Sequence, residues 1–125
     1  MQLVTVFACV SLLSETFGSL PAILYRRLSS GKERAIDHPM YSVLHDIANP
    51  EITSIEFFST VMAHILLYGH GYAEVVHNGA GFVKQLWPII PTRVTPFRNS
   101  RNTLMYQVTL PTDPNSGAGD RKSVV

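Results

Sequence analysis

The sequence predicts an α+β fold, about three helices packed on mainly antiparallel β-hairpins. Three observations carry this expectation. Apolar residues recur at helical spacing, with helix-capping residues, through the first half of the chain. The hydrophobic period changes to two after Gly69 and Gly71. Beyond that point, strand-like segments are separated by clusters of Asn, Gly and Ser that suit tight reversals.

The first helix is expected over Leu3 to Phe17, where small and straight-chain apolar residues dominate and Gly18 supplies a stop. It is apolar on nearly every side, a pattern that belongs to a helix buried on several faces, and its partners are expected to lie partly outside this sequence. No Lys or Arg precedes Arg26, and Ser11, Ser14, Glu15 and Thr16 interrupt the run. It therefore reads as a buried helix rather than a targeting or membrane segment.

A strand from Leu20 to Leu28, a turn at Ser29 to Lys32 and a return at Glu33 to Ile36 make a hairpin. Its tip carries Arg26, Arg27, Lys32 and Arg34. Four cations this close could make a weak phosphate contact, but the weightier reading is a solvated hairpin face. A second helix starts near Asp37 or His38, with Pro39 at the favoured first position, and ends before Asn49 and Pro50. Met40, Val43, Leu44 and Ile47 form its apolar stripe. In the third helix, Thr53 and Glu56 have the spacing of a capping box. Ile55, Phe58, Met62 and Ile65 give it an inward face, and Gly69 ends it in a left-handed cap.

Tyr72 to His77 and Phe82 to Trp87 read as a hairpin turning at Asn78-Gly79-Ala80-Gly81. Pro88 and Pro91 then bracket an extended link. A last pair of strands, Val94 to Arg98 and Leu104 to Thr109, turns at Asn99 to Asn102. Residues 111–125 read as a flexible tail, with no closing element and a truncated end, after one domain over 1–110.

Composition narrows the function classes. Charged residues are 15% against 46% hydrophobic, low for a soluble domain, so some surface is expected to be covered by further protein. A net charge of +1 does not by itself predict nucleic-acid binding. Cys9 is the sole cysteine, which excludes an internal disulfide and a Cys-rich zinc site and leans toward a reducing compartment. His38, His45, His64, His70 and His77 form no HExxH or comparable ligand pair. There is no GxSxG elbow, no GxGxxG and no P-loop. Glu74 reads as an outward strand position and Cys9 as a helix residue rather than a nucleophile. No enzyme and no cofactor are expected.

Phrases in order carry a resemblance. His38-Pro39 with Tyr41, Leu44 and His45 are followed by Asn49-Pro50, then by Gly69, Gly71, Tyr72, Ala73 and Glu74, then by Leu86, Trp87, Pro88, Pro91, Arg93 and Val94. In this order the chain, from about Val4 to Val108, resembles the N-terminal, wing-like region of portal proteins of tailed double-stranded-DNA bacteriophages. The resemblance implies a structural, non-enzymatic subunit of a ring at the capsid vertex. Its implied partners are other portal subunits, the terminase and capsid or connector proteins, with DNA passing through the channel and no membrane. The implied location is the virion, and the host cytoplasm during assembly. Portal proteins are several times longer, so the chain reads as a piece of one. The alternative is a self-contained protein–protein interaction module of prophage origin that builds no ring. The matched positions are expected mainly to maintain the fold.

Overall fold

In the computed structural model, residues 2–109 and 122–124 are described. They form two compact units, Met1–Pro88 and Ile89–Val125.

The first unit opens with helix α1, Gln2–Gly18. Next comes the hairpin of strands β1, Tyr25–Leu28, and β2, Gly31–Arg34, paired antiparallel with Leu28 opposite Gly31. The expected strand from Leu20 starts only at Tyr25, and Gly31 and Lys32 belong to the returning strand rather than the turn. The positive φ of Gly31, 130°, lets the reversal close at Ser29 and Ser30. Ala35 closes the hairpin base by donating its N–H to the Leu24 carbonyl.

Helix α2, Pro39–His45, is shorter than the sequence indicated. Ile47, expected on its apolar stripe, lies beyond the helix, bridges to Thr53 and is 60% exposed. The chain leaves the helix at Asp46 because the backbone from Asp46 to Ser54 is spent on the connection to the next one, with the Ser54 N–H donating to the Asp46 carbonyl. Helix α3, Ser54–Tyr68, has the expected capping box. The Thr53 hydroxyl accepts from the Glu56 N–H, the Glu56 carboxylate accepts from the Thr53 N–H at 2.8 Å, and Gly69 ends the helix at φ 84°. The inward face is rotated from the expected one. Phe57 is the buried apolar residue, with Phe58 and Val61 packed on the core, while Ile55 and Ile65 are exposed. The helix serves two partners, the core and α1, so an apolar step of three and four had two readings.

Strands β3, Tyr72–His77, and β4, Val83–Ile89, make the second antiparallel hairpin. The strand expected to stop at Trp87 runs through Pro88, which a two-stranded sheet tolerates because one edge of each strand needs no ladder donor. The unit's core is Val43, Ala48, Phe57 and Leu86, with Leu44, Ile52, Phe58, Val61 and Val83 packed against it.

The link bracketed by Pro88 and Pro91 is extended as expected, with Pro88 and Ile89 in β4 and Ile90 at φ -64° and ψ 127°; in the second unit a 3-10 turn, Pro91–Arg93, then opens with the fixed proline φ, its Arg93 N–H donating to the Ile90 carbonyl. Strands β5, Val94–Arg98, and β6, Leu104–Thr109, pair antiparallel with Val94 opposite Val108, both buried. Within the segment read as a tail, Lys122–Val124 form β7, a third strand antiparallel to β6. Residues 110–121 lie outside the described residues.

The β3–β4 and β5–β6 turns use one device. In each, an Asn side-chain oxygen accepts two backbone N–H groups: Asn78 from Ala80 and Phe82, Asn99 from Arg101 and Thr103. A residue in the left-handed region follows, Gly81 at φ 82° and Asn102 at φ 59°. This is the three-residue hairpin loop built on a type I turn, and Asn supplies the bonds that the short loop lacks.

Candidate functional site

The positions singled out from the sequence gather most densely where α2, the loop to α3 and β4 meet. Asn49, only 2% exposed, is central. Its side-chain amide donates to the Leu86 carbonyl at 2.8 Å, and its oxygen accepts from the N–H groups of Glu51 and Ile52 at 2.9 and 3.1 Å. Beside it the Leu86 N–H donates to the Ala48 carbonyl at 2.8 Å. One amide thus ties an irregular loop to a strand far away in sequence, and Pro50 follows at the surface. The Ser54 hydroxyl adds a bond to the His45 carbonyl at 2.7 Å.

His38 caps α2, its Nδ1 accepting from the Met40 N–H at 3.2 Å, with Pro39 at the first helical position. The ring of His38 meets Phe82 edge-on. Tyr41 stacks on His45 with centroids 5.3 Å apart, and His45 Nδ1 lies 2.8 Å from Asp46 Oδ1. Leu44 packs on the core. Gly71 is required by close approach, since a Cβ there would stand 2.8 Å from Val61 Cγ1. Tyr72 is half-buried with its ring against His70, whereas Ala73 and Glu74 are exposed on β3. Trp87 is half-buried, its indole N–H donating to Gln85. Pro91, buried, and Arg93, exposed, belong to the other unit.

These residues hold loops and helix ends in place; they do not converge on a cleft. Among the described residues, no three His, Cys, Asp or Glu side chains gather into a group that could hold a metal ion. Nor is any described helix long and apolar enough to cross a membrane.

The four hairpin cations are all exposed, and they differ in engagement. Arg26 binds Asp37 at 2.9 Å. The hydrogen bond to Asp37 raises the Arg26 pKa, and the same bond, read from the other side, holds the Asp37 carboxyl below its usual range. Lys32 places its ammonium 5.0 Å from the centre of the Tyr25 ring. Asp37 as the partner of Arg26 was not legible from the sequence, because the register that aims Arg26 at it exists only in the folded hairpin.

Two further features went unread. Gly18 ends α1 as expected and is also a packing glycine: a Cβ there would overlap the Ser59 hydroxyl and stand 2.7 Å from the Ile55 carbonyl oxygen. Phe17 meets Phe58 edge-on at 6.4 Å in the same contact. Away from it α1 is bare. Leu3 is 84% and Phe7 72% exposed, with Val4, Val6, Leu12 and Leu13 also outward. Of the faces expected to be buried, partly by partners outside this sequence, one narrow stripe of α1 is covered by α3, and no other described element packs closely on the rest.

Comparison with known proteins places these features. The family profile described as Phage portal protein matches residues 4–124. Protein BeeE of Escherichia coli (strain K12) is 35% identical over 91 residues, which cover 73% of this chain and 57% of that protein. The Portal protein of Enterobacteria phage HK97 is 31% identical over 91 residues, covering 71% of this chain and 22% of that protein. The chain therefore spans between about a fifth and three-fifths of the length of these curated relatives.

Proposed function

We propose, from the premise that this chain belongs to the phage portal protein family, that it forms the wing-like portion of a portal ring at the capsid vertex. The single observation that carries this reading is the family match over residues 4–124. In this role the chain supplies fold and contact surface rather than chemistry, and its partners are other portal subunits, with terminase and capsid or connector proteins bound to the complete ring. DNA passes through the channel of that ring during packaging and ejection. The site of action is the virion, after assembly in the host cytoplasm.

The bare apolar face of α1 supports the reading, because a subunit of a closed ring must present two different complementary patches, and apolar area of this extent is covered in an assembled protein. Closure tests it. A chain extended to the length of its relatives is expected to sediment as one ring-sized species and to show rings by electron microscopy. The 125 residues alone are expected to sediment as monomer or as irregular, concentration-dependent aggregates. An extended chain that stays monomeric at every concentration would overturn the ring in favour of a stand-alone interaction module. Turnover of ATP or esters by the purified chain, lost in Glu74→Gln, would overturn the non-enzymatic reading.

A further inference from the structure

The β1–β2 hairpin sorts its charges by face. Directly opposed residues of an antiparallel pair share a face, and successive residues alternate. The register sets Tyr25 opposite Arg34, Arg26 opposite Glu33 and Arg27 opposite Lys32. Tyr25, Arg27, Lys32 and Arg34 therefore lie on one face, while Arg26 and Glu33 lie on the other. The placement of the Lys32 ammonium over the Tyr25 ring, and the bond from Arg26 to Asp37, agree with this division. The one acid of the hairpin, Glu33, stands opposite Arg26, and the nearby Asp37 bonds to Arg26, so the face of three cations carries no acid of its own strands.

That arrangement costs the free protein stability. Like charges directly opposed across a ladder, here Arg27 and Lys32, destabilise a pair of strands. A lone two-stranded hairpin, with every residue of both strands exposed, has little to offset it. A bound polyanion would turn the repulsion into attraction.

We infer that this face binds the phosphodiester backbone of a nucleic acid without regard to sequence. Charge complementarity admits an acidic protein segment as well, but the face lacks what such an interface needs. Protein interfaces are built round a desolvated apolar anchor and are poor in Lys, whereas this face offers Tyr25, already covered by Lys32, and three exposed cations. Phosphate contacts need only cations and no apolar centre. The inference is independent of ring closure, since all four residues belong to one hairpin of one chain.

Three phosphate contacts imply weak, steeply salt-dependent binding. The expected slope of log affinity against log salt is about −2.7, a loss of roughly 40-fold between about 50 and 200 mM salt. The test uses the whole chain and a fluorescent mixed-sequence duplex of about 20 base pairs, read by anisotropy over that salt range. The R27Q/K32Q/R34Q variant is expected to lose the binding and the slope, while unfolding at no lower denaturant concentration than the parent, because the cross-strand repulsion is gone. R98Q/R101Q, on the other unit, is expected to bind as the parent does. No duplex binding by the parent at the lowest salt, equal binding by the hairpin variant, or loss of binding in R98Q/R101Q would overturn the proposal. So would displacement of the duplex by a polyglutamate peptide at equal charge concentration, which would assign the face to acidic protein. None of these readings depends on whether rings form.

Discussion

The junction around Asn49 and the helix α1 make an instructive pair. Both are apolar in sequence. At the junction, Val43, Ala48, Phe57 and Leu86 are buried, the Glu51 and Ile52 N–H groups bond to the Asn49 side chain, and the Ala48 carbonyl accepts from the Leu86 N–H. Along α1 comparable side chains face outward, and contact is confined to a stripe near Gly18, Phe17 and the buried Ser14. Apolar content states that a surface prefers cover. Only a polar lock such as Asn49, satisfied in one arrangement alone, states which cover it receives.

The largest effect should come from breaking that lock. Asn49→Ala removes three hydrogen bonds and leaves the Leu86 carbonyl and the Glu51 and Ile52 N–H groups to find other partners, at a cost of about 3 kcal/mol. Chemical denaturation should show it as a lower midpoint with an unchanged slope. Loss of stability no greater than that of a surface substitution would show that the loop re-forms around a water.

On the α1 side, Gly18→Val forces a side chain into Ser59 and the Ile55 carbonyl, an overpacking worth about 2 kcal/mol. Hydrogen exchange should become faster in α1 while remaining slow in the core of α3. Equal acceleration in both would mean that the two helices unfold as one piece.

Acid should weaken the first unit through His64 on α3, whose Nδ1 is buried with no hydrogen-bond partner. Burial lowers the His64 pKa from 6.5, so the unfolded chain takes up a proton that the folded chain resists. Stability is then fully present above the unfolded value of 6.5 and falls as the pH drops through it toward the lower folded value. Thermal melts between neutral pH and pH 5 should show that fall, and His64→Leu should flatten it. An unaltered profile in the variant would place the acid sensitivity elsewhere.

The smallest expected change in stability is at Phe7. Replacing this exposed ring with Ser should shift the unfolding free energy by no more than about 0.5 kcal/mol. It should nonetheless reduce the concentration-dependent association of the isolated chain in sedimentation. If stability falls as it does for Gly18→Val, α1 is held along more of its length than its exposure indicates.

What the sequence determined alone was local. The capping box of Thr53 and Glu56, the left-handed cap at Gly69, the proline start of α2 and the reversals at Asn78 and Asn99 were legible, because each is set by bonds within a few residues. The ordered phrases from His38 to Arg93 were legible as the pattern of a family. Tertiary structure decided the rest. It turned Phe57 rather than Ile55 to the core, ended α2 before Ile47, made Gly18 a packing residue and joined Asn49 to Leu86. It also set the hairpin register that divides Arg26 from Arg27, Lys32 and Arg34. Each of these depends on which distant segment stands opposite, and periodicity along the chain carries no information about the identity of that neighbour.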